Sequence, residues 1–100
     1  MSKRSVAVCG VRFAIVEGPL DNHGEFSSSE SVIRIRVTDS ADQKRDTLIH
    51  EVLHGIWAYS GLAETIKGHL APGTDSDALE ETCVRILTPH VLRAIDSCDL

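Results

Sequence analysis

The chain carries no concentrated positive charge. Ten Lys and Arg stand against fifteen Asp and Glu, for a formal net charge of −5, and the basic residues come as short separated groups, Lys3-Arg4, Arg34/Arg36 and Lys44-Arg45. Nucleic acids and anionic membrane surfaces are bound through basic stripes, so neither is an expected partner. Long apolar runs are missing as well. None approaches the roughly 18 residues of a membrane span. The segment from Ser5 to Val16 is apolar, but Gly10 and Arg12 interrupt it, unlike the continuous core of a signal peptide. The three cysteines, Cys9, Cys83 and Cys98, form no close pair, and any disulfide would leave one unpaired. A reducing, cytoplasmic setting is therefore expected. There are no internal repeats, low-complexity tracts or linkers. One hundred residues suffice for one small domain with a modest core, expected over residues 6–97 after a tail at 1–5.

What is present is strong periodicity. Val6 to Val16 reads as a strand or a tight pair of strands, with Gly10 at a bulge or bend. Glu17 to Gly24 is rich in turn formers, and Ser27-Ser28-Ser29 extends a polar connection. In Val32–Val37, Ile33, Ile35 and Val37 alternate with Arg34 and Arg36, the pattern of a half-buried strand. A helix follows, capped by Ser40 or by Asp46. Its residues Leu48, Ile49, Val52, Leu53, Ile56, Trp57 and Tyr59 leave almost no polar face, which predicts a central position. Gly55 costs this helix about 0.8–1 kcal/mol relative to Ala, a cost consistent with another element passing close by. Gly61 suits a left-handed helix stop. Leu62 to Leu70 predicts a short helix, and Asp77 to Ile95 a long one that Pro89 should kink or divide. The fold class predicted is α+β: a small antiparallel sheet packed on a central helix, with a second long helix at the C-terminal end.

The central helix holds the chemistry. It reads Asp46-Thr-Leu-Ile-His-Glu-Val-Leu-His-Gly-Ile-Trp57. Residues four apart on a helix share a face, so His50 and His54 can both reach one metal ion. Glu51 lies beside them, placed to take a proton from water activated by that metal. This HExxH spacing is the signature of zinc-dependent hydrolases. A catalytic zinc site needs a third protein ligand. The candidates are His69, His90, His23, Asp75, Asp77, Glu80 and Glu81. Taking the apolar stripe of the last helix as centred near Leu87, Glu80 falls within about 20° of it and Glu81 about 120° away. A carboxylate in an apolar stripe needs a partner, which favours Glu80 and keeps Glu81 as the alternative. Cys83 on the same stripe reads as a small hydrophobe. Trp57 fits either the core or a cleft wall.

The order of strand, strand, Thr-Leu-x-His-Glu-x-x-His helix and later Glu-bearing helix resembles compact gluzincin-type metallopeptidases. It is most similar to the small HExxH proteins of phages and prophages and to the related antirepressor-cleaving peptidases. The matching segments are Val32–Val37, Thr47–Gly61 and Glu80–Leu87. The resemblance implies a minimal zincin-like fold, Zn²⁺ held by His50, His54 and Glu80, and Glu51 as general base in peptide hydrolysis. It implies a peptide or protein substrate, aligned along an edge strand for which Val32–Val37 is the candidate, and a host-cell cytoplasm if phage-encoded. Oxyanion stabilisation is unassigned among Tyr59, His69 and His23. The alternative is a catalytically inactive, zinc-stabilised phage accessory or interaction protein. The chain has no DNA-binding helix pair, and its apolar central helix is compatible with a homodimer.

Overall fold

The computed structural model describes residues 4–98. Four strands precede three helices: β1 (Ser5–Val8), β2 (Val11–Gly18), β3 (Gly24–Ser27), β4 (Val32–Arg36), α1 (Ala41–Tyr59), α2 (Leu62–Lys67) and α3 (Ser76–Asp96). The α+β class read from the sequence is the one adopted. β1 and β2 form a hairpin whose two-residue loop, Cys9-Gly10, has positive φ at both positions, 50° and 81°. That geometry matches the twist of the flanking strands, and Gly10 adopts it without steric cost. The hairpin resolves the Val6–Val16 segment into a strand pair. It also begins early, since Ser5 already pairs with Ala14.

The sheet order is β1-β2-β4-β3, and the sheet is mixed rather than wholly antiparallel. The cause is β3, which lies in the segment that the sequence presents as a polar connector. After β2 the chain skips one position and forms β3 at the far edge. It then turns back through Ser31 (φ 54°) to insert β4 in the gap, parallel to β2 and antiparallel to β3. With Phe26 as its one large apolar residue, β3 shows too little alternation to stand out from a loop.

One face of the sheet is dry. Val8, Phe13, Ile33 and Ile35 are buried there, flanked by Val6, Ile15 and Phe26, and α1 covers them with Leu48 and Val52. The other face carries Arg12, Ala14, Val16 and Arg34. Arg34 pairs with Glu25 directly across the strands and with Glu30, as expected for a solvated face. Gly55 is one point where α1 comes close against the sheet. A Cβ there would stand 2.8 Å from Cε2 of Phe26 and 3.0 Å from Cγ1 of Val8, which explains the tolerated loss of helix propensity.

Ser40 is the cap of α1, its hydroxyl accepting from the Gln43 N–H, so the helix starts well before Asp46. It ends at Ser60, and Gly61 is left-handed at φ 86°. Asp75 caps α3 through the N–H groups of Asp77 and Ala78. Of the two effects expected of Pro89, division does not occur: α3 runs unbroken for 21 residues. α1 is the middle layer, with the sheet on one side and α3 on the other. No helix among the described residues is long and apolar enough to cross a membrane.

Candidate metal centre

The layering gives α1 two working faces. Leu48, Val52 and Gly55 turn to the sheet, while His50, His54 and the buried Trp57 lie on the side of α3. Trp57 is therefore a packing residue. His50 and His54 sit one turn apart with ring centroids 4.8 Å apart and Nε2 atoms 3.2 Å apart. From α3, Glu81 places Oε1 3.4 Å from Nε2 of His50 and Oε2 2.9 Å from Nε2 of His54. One donor atom from each of these three side chains falls within 4.8 Å of the others, close enough to share one metal ion. Two imidazoles and a carboxylate leave a coordination position open, as catalytic zinc sites do.

Glu80, expected from the sequence as the third ligand, stands elsewhere. Its Oε2 lies 2.6 Å from Nδ1 of His54, on the far side of the ring from the cluster. With Nδ1–H donating to this carboxylate, the lone pair of Nε2 is directed toward His50 and Glu81. Metal-binding histidines are commonly oriented in this way by a carboxylate behind them. The packing face of α3 differs from the stripe centred near Leu87 that the sequence suggests. Ile86, Leu87 and Ile95 are 58%, 44% and 47% exposed, and the buried positions are Val84 and Thr88. From the bisector of those two, Glu81 lies about 40° to one side and Glu80 about 60° to the other. Both carboxylates flank the packing face, one in the donor cluster and one behind it.

Glu51 is buried at 9% exposure. Burial raises its pKa above the usual carboxylate value, with Glu81 and Glu25 adding to the shift and His54 opposing it. A carboxylate so placed is a stronger base than one in water. Burial lowers the pKa of His50, partly offset by Glu81, and favours the neutral imidazole that binds metal.

The start of β3 runs directly against this helix. A Cβ at Gly24 would come 2.3 Å from Cγ2 of Thr47, 2.9 Å from the Arg34 carbonyl oxygen and 3.7 Å from Oε2 of Glu51. Only glycine lets the strand approach so closely. The result is a cleft of about 500 Å³ bounded by Asn22, His23 and Gly24 on the sheet side, and by Gln43, Asp46, Thr47, His50, Glu51, His54 and Glu81 on the helices. Because β4 lies between β2 and β3, it is not an edge strand; the edge beside the candidate metal centre is β3. This corrects the expectation for Val32–Val37.

The other candidates do not join the cluster. Tyr59 stacks on Phe13 and Phe26 at centroid distances of 5.8 and 6.2 Å, Asp75 caps α3, and His69 and His90 are exposed away from the cleft. Cys83 is half-buried and outside the donor group. A second cleft of about 410 Å³ near the start of α1 is ringed by charges that satisfy one another, Arg4 and Lys44 on Glu17 and Arg45 on Asp96. No protein family, curated protein or solved structure matches this chain.

Proposed function

We propose that the protein is a small zinc-dependent peptidase whose donors are His50, His54 and Glu81, with Glu51 as general base. The carrying observation is the convergence of three donor atoms within 4.8 Å next to a buried carboxylate of raised pKa, at the floor of an open cleft. Zinc suits two imidazoles and one carboxylate, and when bound it lowers the pKa of water and polarises a carbonyl. Glu51 would take a proton from the attacking water and deliver it to the leaving amine nitrogen as the C–N bond breaks. Glu80 would fix the ring of His54 through Nδ1–H. An extended peptide would lie along β3, whose outer edge is unpaired among the described residues. Its backbone would then pass Gly24 at the distance of Glu51. These features also support kinship with the gluzincin-type phage peptidases as part of the proposal.

One observation favours the inactive, zinc-stabilised alternative. The donors come from α1 and α3, two layers joined by a thin interface in which only Val84 and Thr88 of α3 are buried. A metal there would add to folding stability whether or not it did chemistry. Glu51→Gln separates the readings. In the peptidase, hydrolysis of an unstructured protein substrate such as casein falls by roughly 10²–10⁴-fold while zinc content stays at that of the parent. Equal activity in parent and variant would leave the stabilising role as the better account.

A further inference from the structure

We propose that Asp46 selects substrates carrying a Lys or Arg side chain within two residues of the bond to be cut. This rests on the peptidase reading and names the substrate class that its cleft would take. Asp46 precedes His50 by one helical turn on the same face of α1, and it lines the cleft. Its charge bears directly on His50. The carboxylate is half-buried, and among the described residues no hydrogen bond or ion pair engages it. The cations around it are turned elsewhere. Lys44 pairs with Glu17 and Arg45 with Asp96, while Arg85 on α3 stands 3.5 Å from Glu81. No Lys or Arg side chain lines the cleft among the described residues. A carboxylate partly withdrawn from water and left without a counter-charge attracts a cation more strongly than a fully solvated one.

Two neighbours point the same way. Glu51 faces the same cleft at 9% exposure, again with no hydrogen-bond or ion-pair partner among the described residues, so the negative charge here is not that of an acidic surface alone. Gln43 donates its amide N–H to the Thr47 hydroxyl at 3.2 Å, which leaves its carbonyl oxygen as an acceptor. It lines the cleft three residues before Asp46, on the same side of the helix. A carboxylate with a carbonyl beside it suits ammonium and guanidinium groups, which donate hydrogen bonds and accept none. The charge balance agrees. Zinc on two neutral imidazoles and Glu81 carries one net positive charge, which ionised Glu51 cancels, and Asp46 is the negative charge left over. The spacing sets the reach. Asp46 lies about 6 Å from His50 along the helix axis, and an extended peptide advances about 3.4 Å per residue, so the basic side chain belongs within two residues of the attacked carbonyl.

The test uses the full chain loaded with zinc. Mass spectrometry of casein digests locates the cut bonds, and quenched fluorescent peptides built on the most frequent cut carry Lys, Gln or Glu in turn at the favoured flanking position. In the parent, Lys and Arg should be enriched within two residues of the cut. Its kcat/KM for the Lys peptide should exceed that for the Gln peptide by about tenfold, the low end for a hydrogen bond to a charged group. Asp46→Asn keeps the shape and removes the charge, so the Lys-to-Gln ratio should fall to within twofold of one while zinc content stays at that of the parent. Asp46→Lys should reverse the preference and favour the Glu peptide. Added salt should lower the ratio in the parent and leave it unchanged in Asp46→Asn. No basic enrichment in the parent, or a Lys-to-Gln ratio that Asp46→Asn leaves intact, would overturn the assignment and leave the peptidase reading standing. A parent that takes up no zinc, or a zinc-loaded parent that cuts neither casein nor peptides, would overturn the peptidase reading and this inference with it.

Discussion

On the proposed zinc site, removing the carboxylate of Glu81 should abolish the stabilisation that zinc would give, while removing that of Glu80 should only reduce it. The metal-free protein loses little in either case. Glu81 is 42% exposed, and exposed ion pairs contribute about 0–1 kcal/mol. Free zinc at about 100 times its dissociation constant adds about 2.7 kcal/mol to the folded state. For a domain of this length that corresponds to a rise in melting temperature of roughly 11–22 °C, at about 4–8 °C per kcal/mol. Glu81→Gln leaves two imidazoles and no third donor, so the rise disappears. Glu80→Gln keeps an oxygen for Nδ1–H of His54 but loses the charge. Partners behind a ligand are worth about 10–100-fold in affinity, so the increment drops to about 0.4–1.4 kcal/mol at the same zinc concentration. Thermal unfolding by circular dichroism with zinc and with EDTA gives all three values. The opposite ranking, with Glu80→Gln losing the full increment and Glu81→Gln keeping it, would refute the assignment and restore Glu80 as the ligand.

Other substitutions test the surrounding geometry. Glu51→Gln should raise the melting temperature of the metal-free protein at neutral pH, because the folded state then no longer buries a charge. The folded pKa of Glu51 lies above the unfolded value of 4.5, so its ionisation costs stability above the folded pKa and nothing below 4.5. The advantage of the variant should accordingly vanish in melts below that pH, and a gain that persists there would exclude desolvation as its cause. Gly24→Ala sets a Cβ 2.3 Å from Cγ2 of Thr47 and 2.9 Å from a backbone oxygen, and should cost about 1–3 kcal/mol. Adding Thr47→Ser, which removes that methyl and keeps the hydroxyl that accepts from Gln43, should restore part of the loss in denaturant titrations; strict additivity of the two changes would argue against the contact. Gly55→Ala gains about 1 kcal/mol of helix propensity yet should still destabilise, since Phe26 and Val8 occupy the space the methyl needs.

The parts of this protein that announce themselves in the sequence are those with local causes. Alternation in Ile33-Arg34-Ile35, the i, i+4 spacing of His50 and His54, the close approach at Gly55 and the left-handed Gly61 all follow from residues near one another in the chain. The parts that stay hidden depend on contacts between distant segments. β3 is recognisable only once β4 and α1 are in place, because Phe26 is its one anchor and Gly24 matters through Thr47 and Arg34. The mixed sheet follows from that same strand. On α3 the apolar residues Ile86, Leu87 and Ile95 drew the packing face toward themselves, whereas Val84 and Thr88 make it. Thr88 fits because its hydroxyl donates to the Val84 carbonyl at 2.7 Å within the helix. A polar residue satisfied by its own helix is easily mistaken for a surface one, and the donor group accordingly includes Glu81, with Glu80 behind His54.

α3 leans mainly on α1, and the donor set is divided between them, His50 and His54 on one and Glu81 on the other. Such an arrangement makes α3 a natural unit of sub-global opening, able to lift away while the sheet and α1 stay folded. A metal at the junction would then leave at the rate of that opening rather than at the rate of ligand exchange in a rigid cage. Amide exchange in α3 and metal release would share one clock, and the same ion would slow both.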